Sequence, residues 1–209
     1  MARTRRPILP WYLLLLLVAL VPTVILIATQ PSFTAPQRVI RAAALLGYAF
    51  IFMAIVSANY MQSLVRRFGR PFVTLHHWVS ITGLVLITAH PVLLAITGGG
   101  LAVFVPDVSS WRGFWTYAGR PAWFLLLLAA AAAGLRLRFK NGWRVIHYLT
   151  YVAFVFGAVH ATMLGTSFVV SPVARIVAYI LAALAVAVFG RKRYEVWQRA
   201  KSRASRRTG

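Results

Sequence analysis

The chain has 209 residues, 60% of them hydrophobic, with 23 Lys and Arg against two Asp and Glu, and no cysteine. An ordinary soluble domain is about 45–50% apolar, so a water-soluble fold is all but excluded. The absent cysteines exclude disulfide frameworks, zinc ribbons, iron–sulfur clusters and thiol chemistry, and a lone Asp107 and a lone Glu195 exclude paired-carboxylate catalysis and carboxylate-rich Mg²⁺ or Ca²⁺ sites.

A membrane-crossing helix needs about 20 apolar residues, and six stretches qualify: roughly 8–29, 38–60, 73–97, 121–137, 146–166 and 172–190. The first follows Arg3, Arg5 and Arg6, as a signal peptide would. Its apolar run is too long for one and no small-residue cleavage site follows, so it reads as a retained helix. The second carries Arg41 slightly inside its outer end, and the third holds His76, His77 and His90. The one long loop, 98–120, opens on Gly98-Gly99-Gly100 and matches no phosphate-binding fingerprint. Its Trp111, Phe114, Trp115 and Tyr117 are expected at the membrane interface. The fifth stretch holds His147 and His160. After the sixth, the basic segment 191–209 is expected to lie as a helix along the inner surface, in contact with anionic lipid.

The connections alternate in basicity. One side holds Arg3, Arg5 and Arg6, then Arg66, Arg67 and Arg70, then Arg136, Arg138, Lys140 and Arg144, then the eight cations of the tail, eighteen in all; the other holds Arg38, Arg41, Arg112, Arg120 and Arg175. Basic loops stay cytoplasmic, so both termini are expected inside a multi-pass protein of the cell (inner) membrane. This distribution explains most of the net charge of +21 without nucleic acid as a partner. The expected fold is an all-α integral membrane bundle of six helices. Residues 1–37 form an N-terminal helix and first outer loop, 38–190 the core, and 191–209 a basic cytoplasmic tail.

All five histidines fall in the third and fifth stretches. Ionisable groups inside a span are costly and mark function by default. His76 and His90 are 14 apart, which leaves them about 40° from alignment and roughly 21 Å apart along the axis. His147 and His160 are 13 apart, about 140° out of line on an ideal helix, so a π-bulge or bend is expected between them. Both helices run the same way, so His76 matches His147 in depth at the inner side and His90 matches His160 at the outer side. Two imidazoles at each of two depths, without carboxylates or thiols, suit two six-coordinate b-type haems held between helices. His77 points about 100° from His76; it is the alternative inner ligand, or else contacts a propionate, water or a headgroup.

Neighbouring residues fit two haems. Gly83 is seven residues from both His76 and His90, where a missing side chain admits a flat macrocycle or simply allows close helix packing. Phe154, seven after His147 and six before His160, is placed to fill the gap between two porphyrins or to pack in the core. Haem propionates need cations: Arg66, Arg67, Arg70 and Arg144 are available inside, and Arg41, Arg112 and Arg120 outside. Arg41 alternatively snorkels to the outer headgroups.

The segment RRFGRPFVTLHHWVSITGLVLITAHP (66–91) resembles the Leu-His-x-Trp … His-Pro helix of the ferric reductase-like transmembrane domain. That superfamily includes NADPH oxidases, ferric reductases and the membrane subunit of the bacterial periplasmic methionine sulfoxide reductase system. WRVIHYLTYVAFVFGAVHATMLGT (143–166) resembles its second haem helix, and there too the spacings are 14 and 13. The resemblance covers roughly 38–190 and makes His76, within Leu75-His76-x-Trp78, the family ligand. Oxidases and eukaryotic ferric reductases carry a flavin- and NADPH-binding portion after the sixth helix. Here about 19 residues follow, with no nucleotide fingerprint, so the resemblance implies a bare haem module.

The expected function is therefore a membrane cytochrome b, the electron-transfer subunit of an oxidoreductase. His76 with His147 and His90 with His160 would be the metal ligands. Electrons would come from a separate flavoprotein or a quinol on the cytoplasmic side and leave to an extracytoplasmic acceptor; flavin or quinone enters only through a partner or an unassigned site. One alternative is the haem subunit of a methionine sulfoxide reductase system, handing electrons to a periplasmic molybdoenzyme, although that subunit typically lacks the inner histidine present here as His76. Another is a non-redox haem sensor or carrier.

Overall fold

The computed structural model describes residues 9–28, 32–68, 71–139 and 142–208. The chain enters on α1 (Leu9–Ala28), α2 (Ala35–Phe68) and α3 (Pro71–Leu94). A π-helical turn (Ala95–Gly99) and a 3-10 turn (Leu101–Phe104) lead to a short α4 (Trp111–Thr116) and then α5 (Gly119–Gly134). After α6 (Arg136–Phe139) come α7 (Trp143–His147), α8 (Leu149–Leu164), α9 (Thr166–Val170) and α10 (Pro172–Thr208). The described residues contain no strand. In hydrocarbon every backbone N–H and C=O must be satisfied internally, and a helix does so within one segment.

Among the described residues four helical segments are long and apolar enough to cross a membrane: Ala35–Arg66, Phe72–Gly99, Trp143–Leu164 and Pro172–Ser202. The other two predicted spans form shorter apolar helices, Tyr12–Ala28 and Gly119–Gly134. The 16 residues of α5 rise only about 24 Å, against a hydrocarbon core of about 30 Å. The chain is thus a membrane helical bundle in which four of the six expected spans have full length.

The bundle is built on small residues. Buried Ala122, Leu126, Ala129 and Ala132 recur at helical spacing on α5, and α8 meets that face with Ala153, Phe154 and Ala158. Where lipid offers no hydrophobic contrast, close approach of backbones drives association. The tightest approach joins α2 to α3. A Cβ on Gly83 would lie 3.0–3.1 Å from Ile51 and Phe50 of α2, and one on Gly47 would lie 2.8 Å from Ile87 of α3. The sequence left Gly83 as either a macrocycle contact or a packing residue; α2 occupies the space in front of it, so its absent side chain serves helix packing. Gly83→Leu is expected to wedge the two helices apart and destabilise the protein by about 2 kcal/mol or more, measurable as a lowered thermal midpoint in detergent. Tyr12 docks α1 on α3, its hydroxyl 2.8 Å from Thr82 Oγ1 and its ring edge-on to Trp78.

Two local features bear on the sequence expectation, the first as the bend it allowed and the second as a departure from it. The fifth stretch breaks at Tyr148, between α7 and α8. The break is a tight turn and not a π-bulge: Tyr148 N–H donates to Val145 O at 3.2 Å as well as to Arg144 O, and Tyr151 N–H donates to Tyr148 O at 3.0 Å. Such i→i+3 winding advances about 120° per residue in place of 100°, which reduces the angular shortfall between His147 and His160. The basic tail, expected as a separate surface helix, instead prolongs α10 without a break at Gly190. Its 37 residues extend about 55 Å, well beyond a bilayer core.

The long loop is ordered by its own polar groups. Gly98 (φ 125°) and Gly100 (φ 56°) take left-handed conformations that side chains resist. Ser110 caps α4 by accepting from Gly113 N–H at 3.0 Å. Asp107 accepts from the Ser109 N–H and hydroxyl, and these bonds hold its carboxyl below the usual carboxylate range. The loop's aromatics divide: Trp111 is 78% exposed, whereas Phe114 and Trp115 stack edge-on against Phe156 of α8 at 5.8 and 5.2 Å. The loop therefore folds back onto α8 of the bundle.

Candidate functional site

Four imidazoles are partly buried in the bundle, and each has its Nδ1 committed. His90 Nδ1 lies 3.2 Å from Ile40 O, His147 Nδ1 3.0 Å from Ala129 O, and His160 Nδ1 2.7 Å from Thr116 O. A carbonyl oxygen only accepts, so each Nδ1 must carry the proton. His76 reaches the same state by another route. Its Nδ1 is 3.0 Å from Ser57 Oγ. The Ser57 hydroxyl lies 3.0 Å from Ala54 O and donates to it, so Ser57 accepts from His76 Nδ1–H. All four rings are thereby set in one tautomer, with a lone pair on Nε2. A hydrogen bond at one ring nitrogen is what orients a histidine for ligation through the other.

His147 lies within electrostatic range of His76, and His160 within range of His90. The helices that carry them do not pack together. Among the described residues α3 packs along α2, and α7 and α8 pack along α5, while α3 and α8 make almost no direct contact. Each ring is held by another element: α2 for His76 and His90, α5 for His147, and the end of α4 for His160. His77 differs. It is exposed, and its ring sits 6.0 Å from that of His76.

Two polar atoms near this framework are buried without a hydrogen-bond partner among the described residues: Arg41 Nη1 and Tyr48 Oη. Arg41 follows Ile40, whose carbonyl holds His90. Its Nη2 donates to buried Ser167 at 2.5 Å, and its guanidinium lies 3.6 Å over the Phe33 ring. It is thus anchored into the bundle with one N–H group unspent. Tyr48 stacks on Phe154, ring centroids 4.3 Å apart and 11° from parallel, and Phe52 stacks on the same ring at 5.9 Å. Phe154 is 3% exposed, within the main apolar cluster.

The remaining cations are dispersed. Arg144, one turn before His147, is exposed and lies 5.6 Å over Trp143. Arg120 donates to Val105 O at 2.6 Å and covers Tyr117. Arg112 is exposed, and Arg66 faces the far end of α2. Arg70 lies outside the described residues, as do Arg3, Arg5, Arg6 and the side chain of Arg67. No group of three or more His, Cys, Asp or Glu gathers among the described residues.

A family model described as ferric reductase-like transmembrane component matches residues 13–158. The match covers more than half of the chain. It takes in His76, His90 and His147 and ends two residues before His160. The chain belongs to the ferric reductase-like transmembrane component family. No curated protein and no solved structure matches it. Membership makes this a membrane electron-transfer module in outline. In this ferric reductase-like chain the second rank of residues is what sequence reasoning missed: Ser57 behind His76, Thr116 behind His160, and Gly119 beneath it. A Cβ on Gly119 would lie 2.6 Å from His160 Cδ2 and 2.9 Å from its Cγ and Nε2. Three of the four Nδ1 acceptors are backbone carbonyls, which carry no residue-type signal. Gly119 stands beside Arg120 in a loop-end segment that gives no periodic cue.

Proposed function

We propose that this chain is a membrane cytochrome b that holds two b-type haems and carries electrons from a cytoplasmic-side donor to an extracytoplasmic acceptor. The observation that supports it most is the shared tautomer: four imidazoles, paired by depth, each with Nδ1–H bonded and Nε2 free. His76 and His147 would hold the inner haem, and His90 and His160 the outer one. When bound, haem supplies a reversible one-electron couple.

The chain's own residues supply ligation, spacing and charge. Ser57 and the Ile40, Ala129 and Thr116 carbonyls keep each ring from rotating and raise its basicity. Arg41 offers its unspent N–H to an outer propionate, and Arg144, beside His147, is placed for an inner one, as Arg67 is by sequence. Phe154, flanked by Tyr48 and Phe52, keeps the middle of the bundle dry and apolar. The eighteen-to-five split of cations supports both termini being cytoplasmic. The donor would be a separate flavoprotein or a quinol, and the acceptor a periplasmic redox partner or small oxidant.

Purification in mild detergent, with absorption spectra of oxidised and dithionite-reduced protein and haem quantification, tests the reading. Two b-type haems per chain with the sharp reduced α-band of bis-histidine ligation are expected. One haem would remove the two-site part and favour a sulfoxide reductase-like arrangement; none after haem supplementation would overturn it.

A further inference from the structure

Away from the histidines, at the basic end of α2 and α10, the two helices enclose a cleft of about 170 Å³. Arg66 enters it from α2, and Arg191, Lys192 and Arg199 enter from α10. Glu195 is the one carboxylate there, and it is already shared: Arg191, Lys192 and Arg199 lie 3.6, 3.9 and 3.9 Å from its oxygens. Arg66 has no ion pair among the described residues. The cleft thus carries a net charge of three positive units. Convergence of like charges from two helices on one concavity is unfavourable unless an anion neutralises them.

The lining selects the kind of anion. Gln62 and Ser63 add uncharged polar groups beside Arg66. Asn59, at the floor, is fixed by bonds from its amide to Ile55 O at 2.8 Å and to the Tyr151 hydroxyl at 2.6 Å. Three guanidinium forks, one ammonium and these polar groups match an anion with several oxygens around one centre, the geometry of phosphate. The volume excludes a larger body, since pockets for drug-sized ligands run about 300–1,000 Å³. A phosphate terminus suits this size, with the rest of its molecule outside. The cleft also lies just where the apolar stretches of α2 and α10 end, the depth of lipid phosphates.

We propose that this cleft is a binding site for a phosphate ester, contributed by an anionic phospholipid headgroup or by a soluble phosphate ester. It does not depend on haem, so it stands or falls apart from the reading above.

The test uses the purified full chain in neutral detergent. Thermal stability is titrated with glycerol 3-phosphate, against sodium chloride at matched ionic strength, and native mass spectrometry counts retained phosphatidylglycerol against phosphatidylcholine. Arg66→Gln and Arg191→Gln are expected to weaken binding about tenfold each, since each removes a charge-assisted contact. Glu195→Gln is expected to tighten it several-fold, because exposed ion pairs add little stability and the repelling carboxylate is gone. Opposite effects from neighbouring substitutions cannot come from unfolding, and circular dichroism checks helix content in each variant. Saturable stabilisation by glycerol 3-phosphate with this variant order supports the site with a soluble ester sufficing. Retention of one phosphatidylglycerol, lost in Arg66→Gln, supports it with lipid as the source. Equal effects of chloride and phosphate together with non-selective lipid retention, or variants that all bind as wild type, would overturn it.

Discussion

If the chain holds the two haems proposed, His160→Ala is expected to leave one haem per chain in place of two, and to abolish electron transfer across the membrane while the remaining haem stays reducible by dithionite. The His160 ring is the member of the proposed outer pair held by Thr116 O, and no histidine other than its partner His90 is placed at its depth. His77, the only spare imidazole, is adjacent to His76 at the opposite end of α3 and cannot substitute. His76→Ala should spare the outer haem and remove the inner one, whereas His77→Ala should spare both, because His77 is exposed and takes no part in the Ser57 relay. The measurement is haem per chain by pyridine haemochrome, together with reduction of an oxidant trapped inside vesicles. Full haem content in His160→Ala would remove it as a ligand, and haem loss in His77→Ala would move the inner site to that residue.

The parts legible in the sequence are those carried by residue type and period. Apolar runs locate the helices, and histidines at spacings of 14 and 13 locate two depths, because both are properties of single segments. The parts that were not legible depend on which helix lies against which. Gly83 reads equally well as room for a cofactor or room for a helix until α2 is seen against it. The break at Tyr148 leaves no glycine or proline at the site; it appears as backbone hydrogen bonds to the residue three positions back that only coordinates reveal. The carbonyls of Ile40, Ala129 and Thr116 are invisible in principle, since any residue supplies one. The aromatic loop was placed at the membrane interface by composition, yet its Phe114 and Trp115 pack on Phe156 and so bring Thr116 O to His160. A loop that positions a buried imidazole has a different task from one that floats in the headgroups.

That task makes Gly119 a sensitive position, and Gly119→Ala is expected to weaken retention of the proposed outer haem by about 10–100-fold, the usual penalty for disturbing the groups behind a metal-binding histidine. The added Cβ would fall 2.6 Å from His160 Cδ2, a separation that forces the ring or α5 to move. The ring has little freedom to move, because its Nδ1 bond to Thr116 O is already 2.7 Å and Phe156, four residues earlier on α8, is pinned by Phe114 and Trp115. Displacement therefore breaks the Nδ1 bond and frees the ring to rotate off the orientation that presents Nε2. The same substitution at Gly134, at the other end of α5 with nothing within 4 Å of the new Cβ, should be neutral or stabilise the helix by about 0.5–1 kcal/mol. Haem quantification of the two variants separates loss of helix stability from loss of ligand geometry. If the His160 pocket is what Gly119 protects, Gly119→Ala reproduces the spectrum of His160→Ala with helix content intact. If Gly119→Ala keeps both haems, the His160 ring has room that the packing denies it, and Thr116 O is not what holds it.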